Sequence, residues 1–278
     1  MNLKPPYTLP GVNVLLMGPS GTGKTYSIAS LVDLGLEVYY LALESGMESL
    51  LGYWKDSDKE VPSNLHWHKI AAPTADFTSM IANAKNVNML SLDALAKMAD
   101  PNRSKHNQFV SILEALNNFP DDRTGEKHGA VNTWDQSRVL VIDGATGIST
   151  AALSLVVGGK AVRSQSDWGI AQDQVEKLIR MLCDNCPCHF IMLAHVEREV
   201  DAVLGGVKLM VSTLGKALAP KFPAMFSDVI LTVRTGSEWR WDTASGLADV
   251  KTRNLPIKAD NLPSFKPIFE KWAARNQA

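Results

Sequence analysis

Gly18-Pro19-Ser20-Gly21-Thr22-Gly23-Lys24-Thr25 decides how the rest of the chain is read. The stretch matches G-x-x-x-x-G-K-[ST] at every fixed position, and the chemistry requires these residue types. Gly18, Gly21 and Gly23 let backbone N–H groups curl around phosphate oxygens, with Pro19, Ser20 and Thr22 completing the cradle. The N-terminus of the helix that follows adds positive dipole. Lys24 is placed to reach the β- and γ-phosphates of a nucleotide, and the Thr25 hydroxyl to sit on Mg²⁺. The flanks supply the required context. Residues 12–17, Val-Asn-Val-Leu-Leu-Met, read as a buried strand, a helical stretch runs to about Leu34, Gly35 ends it, and residues 37–43 read as a second strand. Strand–loop–helix–strand is a βαβ unit, which predicts a parallel sheet with a right-handed crossover.

Further buried strands are expected over residues 138–143 and 189–194, with a shorter one at 65–70. Helices are expected near 76–84, 91–99, 107–118 and 168–183, and the polar stretch 119–136 reads as a loop. The chain then changes character: residues 228–233, 238–242 and 247–251 are strand-like segments joined by short turns, an antiparallel β-meander. The fold class is therefore α/β, a mostly parallel sheet flanked by helices with a C-terminal meander. The chain forms one domain, in which residues 75–137 are a helical and loop insertion longer than a minimal core needs.

A nucleotide site of this kind needs an acid at the end of another buried strand to hold the metal through water. Asp143 closes Val139-Leu140-Val141-Ile142 and fits; the alternative is a turn-forming Asp before Gly144. Because Gly144 stands where a catalytic acid often follows, the base must come from elsewhere. Glu44 ends the second strand, and in a parallel sheet the C-terminal strand ends share one rim. It is expected to activate the attacking water, or else to cap the helix near Gly46. His195 ends the 189–194 strand at the same rim, as a sensor of the γ-phosphate or as a structural residue.

The chain has 278 residues, 45% hydrophobic and 21% charged, with 28 Lys+Arg against 29 Asp+Glu, which excludes a disordered or collagen-like chain. No apolar run approaches the roughly 20 residues of a membrane span, and the N-terminus lacks the apolar core of a signal peptide. The three cysteines fall within Cys183–Cys188, so a reducing cytoplasm is expected, with structural thiols favoured over a metal site. The net charge of -1 excludes only a uniformly basic nucleic-acid binder. Two stretches carry bases and no acid: 144–166 with Lys160 and Arg163, and 202–227 with Lys208, Lys216 and Lys221. They read as phosphate-contacting loops or as ordinary solvated surface.

Taken in order, residues 18–25, Leu41-Ala42-Leu43-Glu44, Val141-Ile142-Asp143, Asp167-Trp168-Gly169, Leu193-Ala194-His195, Phe226-Ser227-Asp228-Val229 and 249–254 resemble the RecA-like branch of P-loop ATPases. The resemblance is closest to phage-encoded RecA-like nucleotide-binding proteins of the single-strand-annealing and recombination type, and it covers residues 10–255. It implies a RecA-like P-loop core and an Mg²⁺-dependent ATPase with Lys24, Glu44 and His195 at the reaction centre. It implies single-stranded DNA as partner, held by the two basic stretches, and a ring- or filament-forming homo-oligomer. In such assemblies Lys251 and Arg253 would reach the γ-phosphate held by a neighbouring subunit. The expected location is the cytoplasm, the host's if phage-encoded. A DNA-packaging or helicase-like motor, a nucleotide kinase and a nucleotide-gated scaffold are the alternatives.

Overall fold

A computed structural model describes residues 9–72, 76–97, 106–158, 162–200, 205–215 and 217–276. Its centre is built by alternation along apolar strands. In β1 (Asn13–Met17), Val14 and Leu16 face one side of the sheet while Leu15 and Met17 face the other. The same alternation runs through β2 (Glu37–Ala42), β4 (Arg138–Asp143) and β5 (His189–Ala194). Strands covered on both faces read as continuous apolar runs, which is why these segments were legible as buried.

The seven-stranded sheet has the order β3-β2-β4-β5-β1-β8-β9, with β3 at Leu65–Lys69, β8 at Asp228–Thr235 and β9 at Glu238–Asp242. Every pairing is parallel except β8–β9. The first face carries Val14, Leu16, Tyr40 and Val141 under α1 (Lys24–Ser27), α2 (Ala29–Val32), α3 (Met47–Lys55) and the C-terminal helix. The helix expected to run to Leu34 is thus two short turns. Ser27 and Ser30 return hydroxyl bonds to Lys24 O and Ser27 O, a back-bonding that bends helices.

The opposite face carries Leu15, Tyr39, Ile142 and Phe190. After α4 (Phe77–Met89) and α5 (Leu92–Lys97), it is covered by α6 (Gln108–Asn117), α7 (Ala145–Val157) and α8 (Gln165–Asp184). α6 lies within the region expected to be an insertion, yet Phe109, Ile112, Ala115 and Leu116 are buried in the main core. Ser164 and Asp167 form a reciprocal capping box at the start of α8, so Asp167 serves the helix.

Two expectations are corrected. Residues 247–251 form no strand, only isolated bridges at Ala248 and Lys251, so the meander narrows to the β8–β9 hairpin. The chain wraps instead around buried Asp228, whose carboxylate takes the Thr252 hydroxyl and the Arg253 and Asn254 N–H groups. The two basic stretches are not long loops either. Small apolar residues after Gly144 form α7 directly. After His195 the chain forms a separate antiparallel hairpin of β6 (Val196–Val200) and β7 (Val207–Val211), followed by the short helix α9 (Phe222–Met225). α10 (Lys266–Asn276) completes the first layer.

Candidate nucleotide site

The C-terminal ends of β1, β2, β4 and β5 open onto a cleft of about 660 Å³. Residues Ser20–Tyr26 form one wall, Glu44–Gly46 and α3 another, and Asp143, His195 and Trp239 close it. Gly21 and Gly23 hold φ of 75° and 79°, a left-handed conformation that side chains resist. At Gly23 a Cβ would also meet the Trp239 indole at 2.8 Å, and at Gly18 it would meet the Thr232 hydroxyl at 2.0 Å. Thr232 lies 2.6 Å from Thr22 Oγ1, so strand β8 fixes the loop from below.

Lys24 is buried, its ammonium donating to the carbonyls of Gly18 and Pro19 at 2.8 Å each. Burial lowers its pKa to about 8, against the opposing pull of Asp143 and Glu44. Thr25 Oγ1 donates to Asp143 Oδ2 at 3.2 Å, so the two expected metal residues stand side by side. Burial raises the Asp143 pKa, while the Tyr40 hydroxyl, donating to the same Oδ2, opposes the rise. Gly46 leaves room here: a Cβ would stand 2.5 Å from Asp143 Oδ2 and 3.1 Å from Thr25 Oγ1. A hydroxyl and a buried carboxylate are hard oxygen donors suited to Mg²⁺.

Glu44 does not cap α3, whose N-cap is Gly46 with no side-chain bond. Its carboxylate lies over Gly144 instead. With φ of 125°, Gly144 has space for no side chain; a Cβ would meet Glu44 Cγ at 2.9 Å and Oε1 at 3.0 Å. The glycine that seemed to leave the site without an acid is the seat of the acid from the neighbouring strand. His195 Nε2 stands 3.1 Å from Glu44 Oε2, and this bond is the main reason that the Glu44 pKa is lowered. The strand ends β2, β4 and β5 therefore bring together Glu44, Asp143 and His195.

The remaining expected residues lie elsewhere. Lys251 is bridged to Val229, which pairs with Leu15 in mid-β1, and Arg253 binds the carboxylate of Asp228 through its backbone. Both are thus toward the end of the strands away from their own phosphate loop. Lys208 pairs with Asp249 at 2.7 Å and Lys221 with Glu176 at 2.8 Å, while the Arg163 guanidinium sits 5.8 Å over Trp168. Lys160 and Lys216 lie outside the described residues. Cys183, Cys186 and Cys188 are buried free thiols. Burial pushes the Cys183 and Cys188 thiols up to about 12.

Tyr40, Gly46, Thr232 and Trp239 belong to the site but carry no local sequence signal for it. Trp239 and Trp241 do share a face, as their spacing requires, but only Trp241 enters the core, against Phe265 at 4.9 Å. Trp239 packs on Gly23 and on Tyr26, with ring centroids 5.0 Å apart.

Comparison with known proteins adds the following. A family described as AAA domain matches residues 11–255. No curated protein matches the chain. Among solved structures, the assembled ATPase EscN from the type III secretion system of enteropathogenic E. coli is similar at 15% identity with a TM-score of 0.37. The match covers 81% of this chain and 43% of that one, so this chain spans less than half of EscN's length. Among the described residues no helix is long and apolar enough to cross a membrane.

Proposed function

We propose a mechanism from one premise: the chain belongs to the AAA domain family and is an ATP-hydrolysing P-loop NTPase. The N–H groups of residues 20–25 take the phosphates, and Lys24 exchanges its two carbonyl acceptors for anionic oxygens. Thr25 and Asp143 would hold Mg²⁺, which would supply neutralisation of phosphate charge. Glu44 orients the attacking water and accepts its proton while the terminal phosphoryl group leaves ADP. His195 fixes the Glu44 carboxylate and ties its state to β6, which starts at the next residue.

The observation that carries this reading is the Glu44 carboxylate seated over Gly144, beside Asp143 and bonded to His195. The finer part is RecA-like: an oligomer in which Lys251 and Arg253 reach the neighbour's γ-phosphate, acting on single-stranded DNA in phage recombination or replication. It is supported by the position of Lys251 and Arg253 away from their own cleft, and by the hairpin that begins beside His195. Lys208, Lys221 and Arg163, with Lys160 and Lys216, would supply phosphate contacts, the first two after leaving Asp249 and Glu176.

Glu44→Gln should bind ATP with parental affinity and hydrolyse it roughly 10²- to 10³-fold more slowly. Normal turnover would refute Glu44 as the base. ATPase rates with single-stranded DNA, duplex DNA and no DNA, beside mass measurement with a non-hydrolysable nucleotide, test the finer reading. Equal rates and a monomer would remove it and leave the hydrolase.

A further inference from the structure

At the other end of the strands, Glu37 opens β2 and His66 lies near the start of β3, paired in register with Tyr39. The loop between α6 and β4 folds back over them, bringing Asp121 and His128. The ligand atoms of His66, Asp121 and His128 all lie within 4.8 Å of one another. We propose that these three side chains bind a zinc ion that fastens this loop to the sheet edge.

Four observations carry the proposal. His66 presents Nδ1 to Asp121 Oδ2 at 2.9 Å and Nε2 to Glu37 Oε2 at 3.0 Å. In a carboxylate–histidine–metal site one carboxylate fixes the ring through one nitrogen while the other nitrogen faces the metal, and Glu37 is placed for the first of these roles. Second, His128 Nε2 is buried with no hydrogen-bond partner, while Nδ1 has the Tyr39 hydroxyl at 3.4 Å. A buried orphan nitrogen costs stability unless something binds it. Third, Asp121 is fully buried and anchored, with Oδ1 accepting the Arg123 N–H at 2.9 Å and Oδ2 the Thr124 hydroxyl at 3.1 Å. Finally, the rings of Tyr39, Phe119 and Trp134 pack against one another beside the cluster and keep it dry.

Two imidazoles and one carboxylate suit Zn²⁺ better than Mg²⁺ or Ca²⁺, which take oxygen. Ligands about 2.0–2.2 Å from zinc stand roughly 3.3 Å apart, so the rings close by on the order of 1.5 Å. The metal replaces the proton between His66 and Asp121 and takes up the free His128 nitrogen. A fourth position remains for water. The Arg138 guanidinium, which donates to the His128 carbonyl at 3.1 Å, puts one positive charge nearby, and Glu37 and Asp121 outweigh it.

The test uses the full nucleotide-free chain with equimolar Zn²⁺, gel filtration and metal counting by plasma emission. One zinc per chain is expected, together with a raised melting temperature. His128→Gln should lose the metal. Glu37→Gln, at a half-exposed side chain, should weaken affinity 10- to 100-fold in chelator competition. Cys186→Ala should retain zinc, separating this site from the cysteine cluster. No zinc on the parent chain, equal retention by folded His128→Gln, or unchanged affinity in Glu37→Gln would each overturn the proposal.

Discussion

Asp143 and Asp228 are two buried aspartates on the same sheet, one ending β4 and one opening β8, and their carboxylates are held differently. Asp228 takes the Thr252 hydroxyl and the Arg253 and Asn254 N–H groups on Oδ1, and the Asn254 amide and Ser227 hydroxyl on Oδ2. Asp143 has the Tyr40 and Thr25 hydroxyls, both on Oδ2. The difference separates a staple from a ligand. Five donors from its own chain use up the Asp228 carboxylate, whereas Asp143, bound through Oδ2 alone, is positioned but not used up.

Exchanging the acceptors should break that contrast. Asp228→Ala leaves several buried donors without an acceptor and is expected to cost about 4 kcal/mol in urea unfolding. Asp143→Asn should stay within about 1 kcal/mol of the parent, since it removes a buried charge, while losing Mg²⁺-dependent nucleotide binding. Equal destabilisation by both would dissolve the distinction.

His189, which opens β5, sharpens the structural side. It is fully buried and neutral, accepting the Val12 N–H on Nδ1 at 2.8 Å and donating from Nε2 to the Gln136 carbonyl at 3.0 Å. Burial drops its pKa from 6.5 to about 4. The unfolded chain therefore takes up a proton near pH 6.5 that the folded chain refuses until about pH 4. The stabilisation is complete above pH 6.5 and falls away toward pH 4, where the loss is about 3 kcal/mol. Carboxylates titrate in the same window, so the measurement is the difference between parent and His189→Gln unfolding curves at each pH. Parallel curves would mean that His189 does not contribute.

At the ligand end, Gly144→Ala should displace the Glu44 carboxylate without touching the phosphate loop. ATP affinity is expected to hold while kcat falls roughly tenfold to a hundredfold, the cost of moving a catalytic group by about 1 Å. A larger fall in affinity than in kcat would place Glu44 in binding rather than in chemistry.

What could be read from sequence follows from which interactions are local. Apolar runs ending in Glu44, Asp143 and His195 announced both the strands and their shared rim, because strand direction in a βαβ fold sets which ends meet. The reason for Gly144 was not legible, since it depends on a side chain from another strand. The part of Tyr40 was not legible either, since its ring is buried in the core and only its hydroxyl enters the site. Residues 207–211 read as part of a basic loop or surface, but they pair with Val196–Val200 as an antiparallel hairpin, a partnership set between strands rather than by local composition. The run 247–251 read as a strand, yet it makes only isolated bridges, and the N–H groups just after it, of Arg253 and Asn254, go to the carboxylate of Asp228 rather than to a ladder.

Thr232 beneath Thr22, 210 residues away in sequence, and Trp239 on Gly23 have a consequence for how the chain matures. The phosphate loop leaves the ribosome about two hundred residues before the β8–β9 strands that brace it. Its supports close over the longest sequence separation in the site, and such contacts form late because so much chain must be ordered first. During synthesis the N-terminal strands and α3 can assemble while the loop above them still lacks its floor. Competence to hold a nucleotide then arrives in one step with the β8–β9 hairpin, so a product truncated before it would keep the signature residues without the rigid cradle they need.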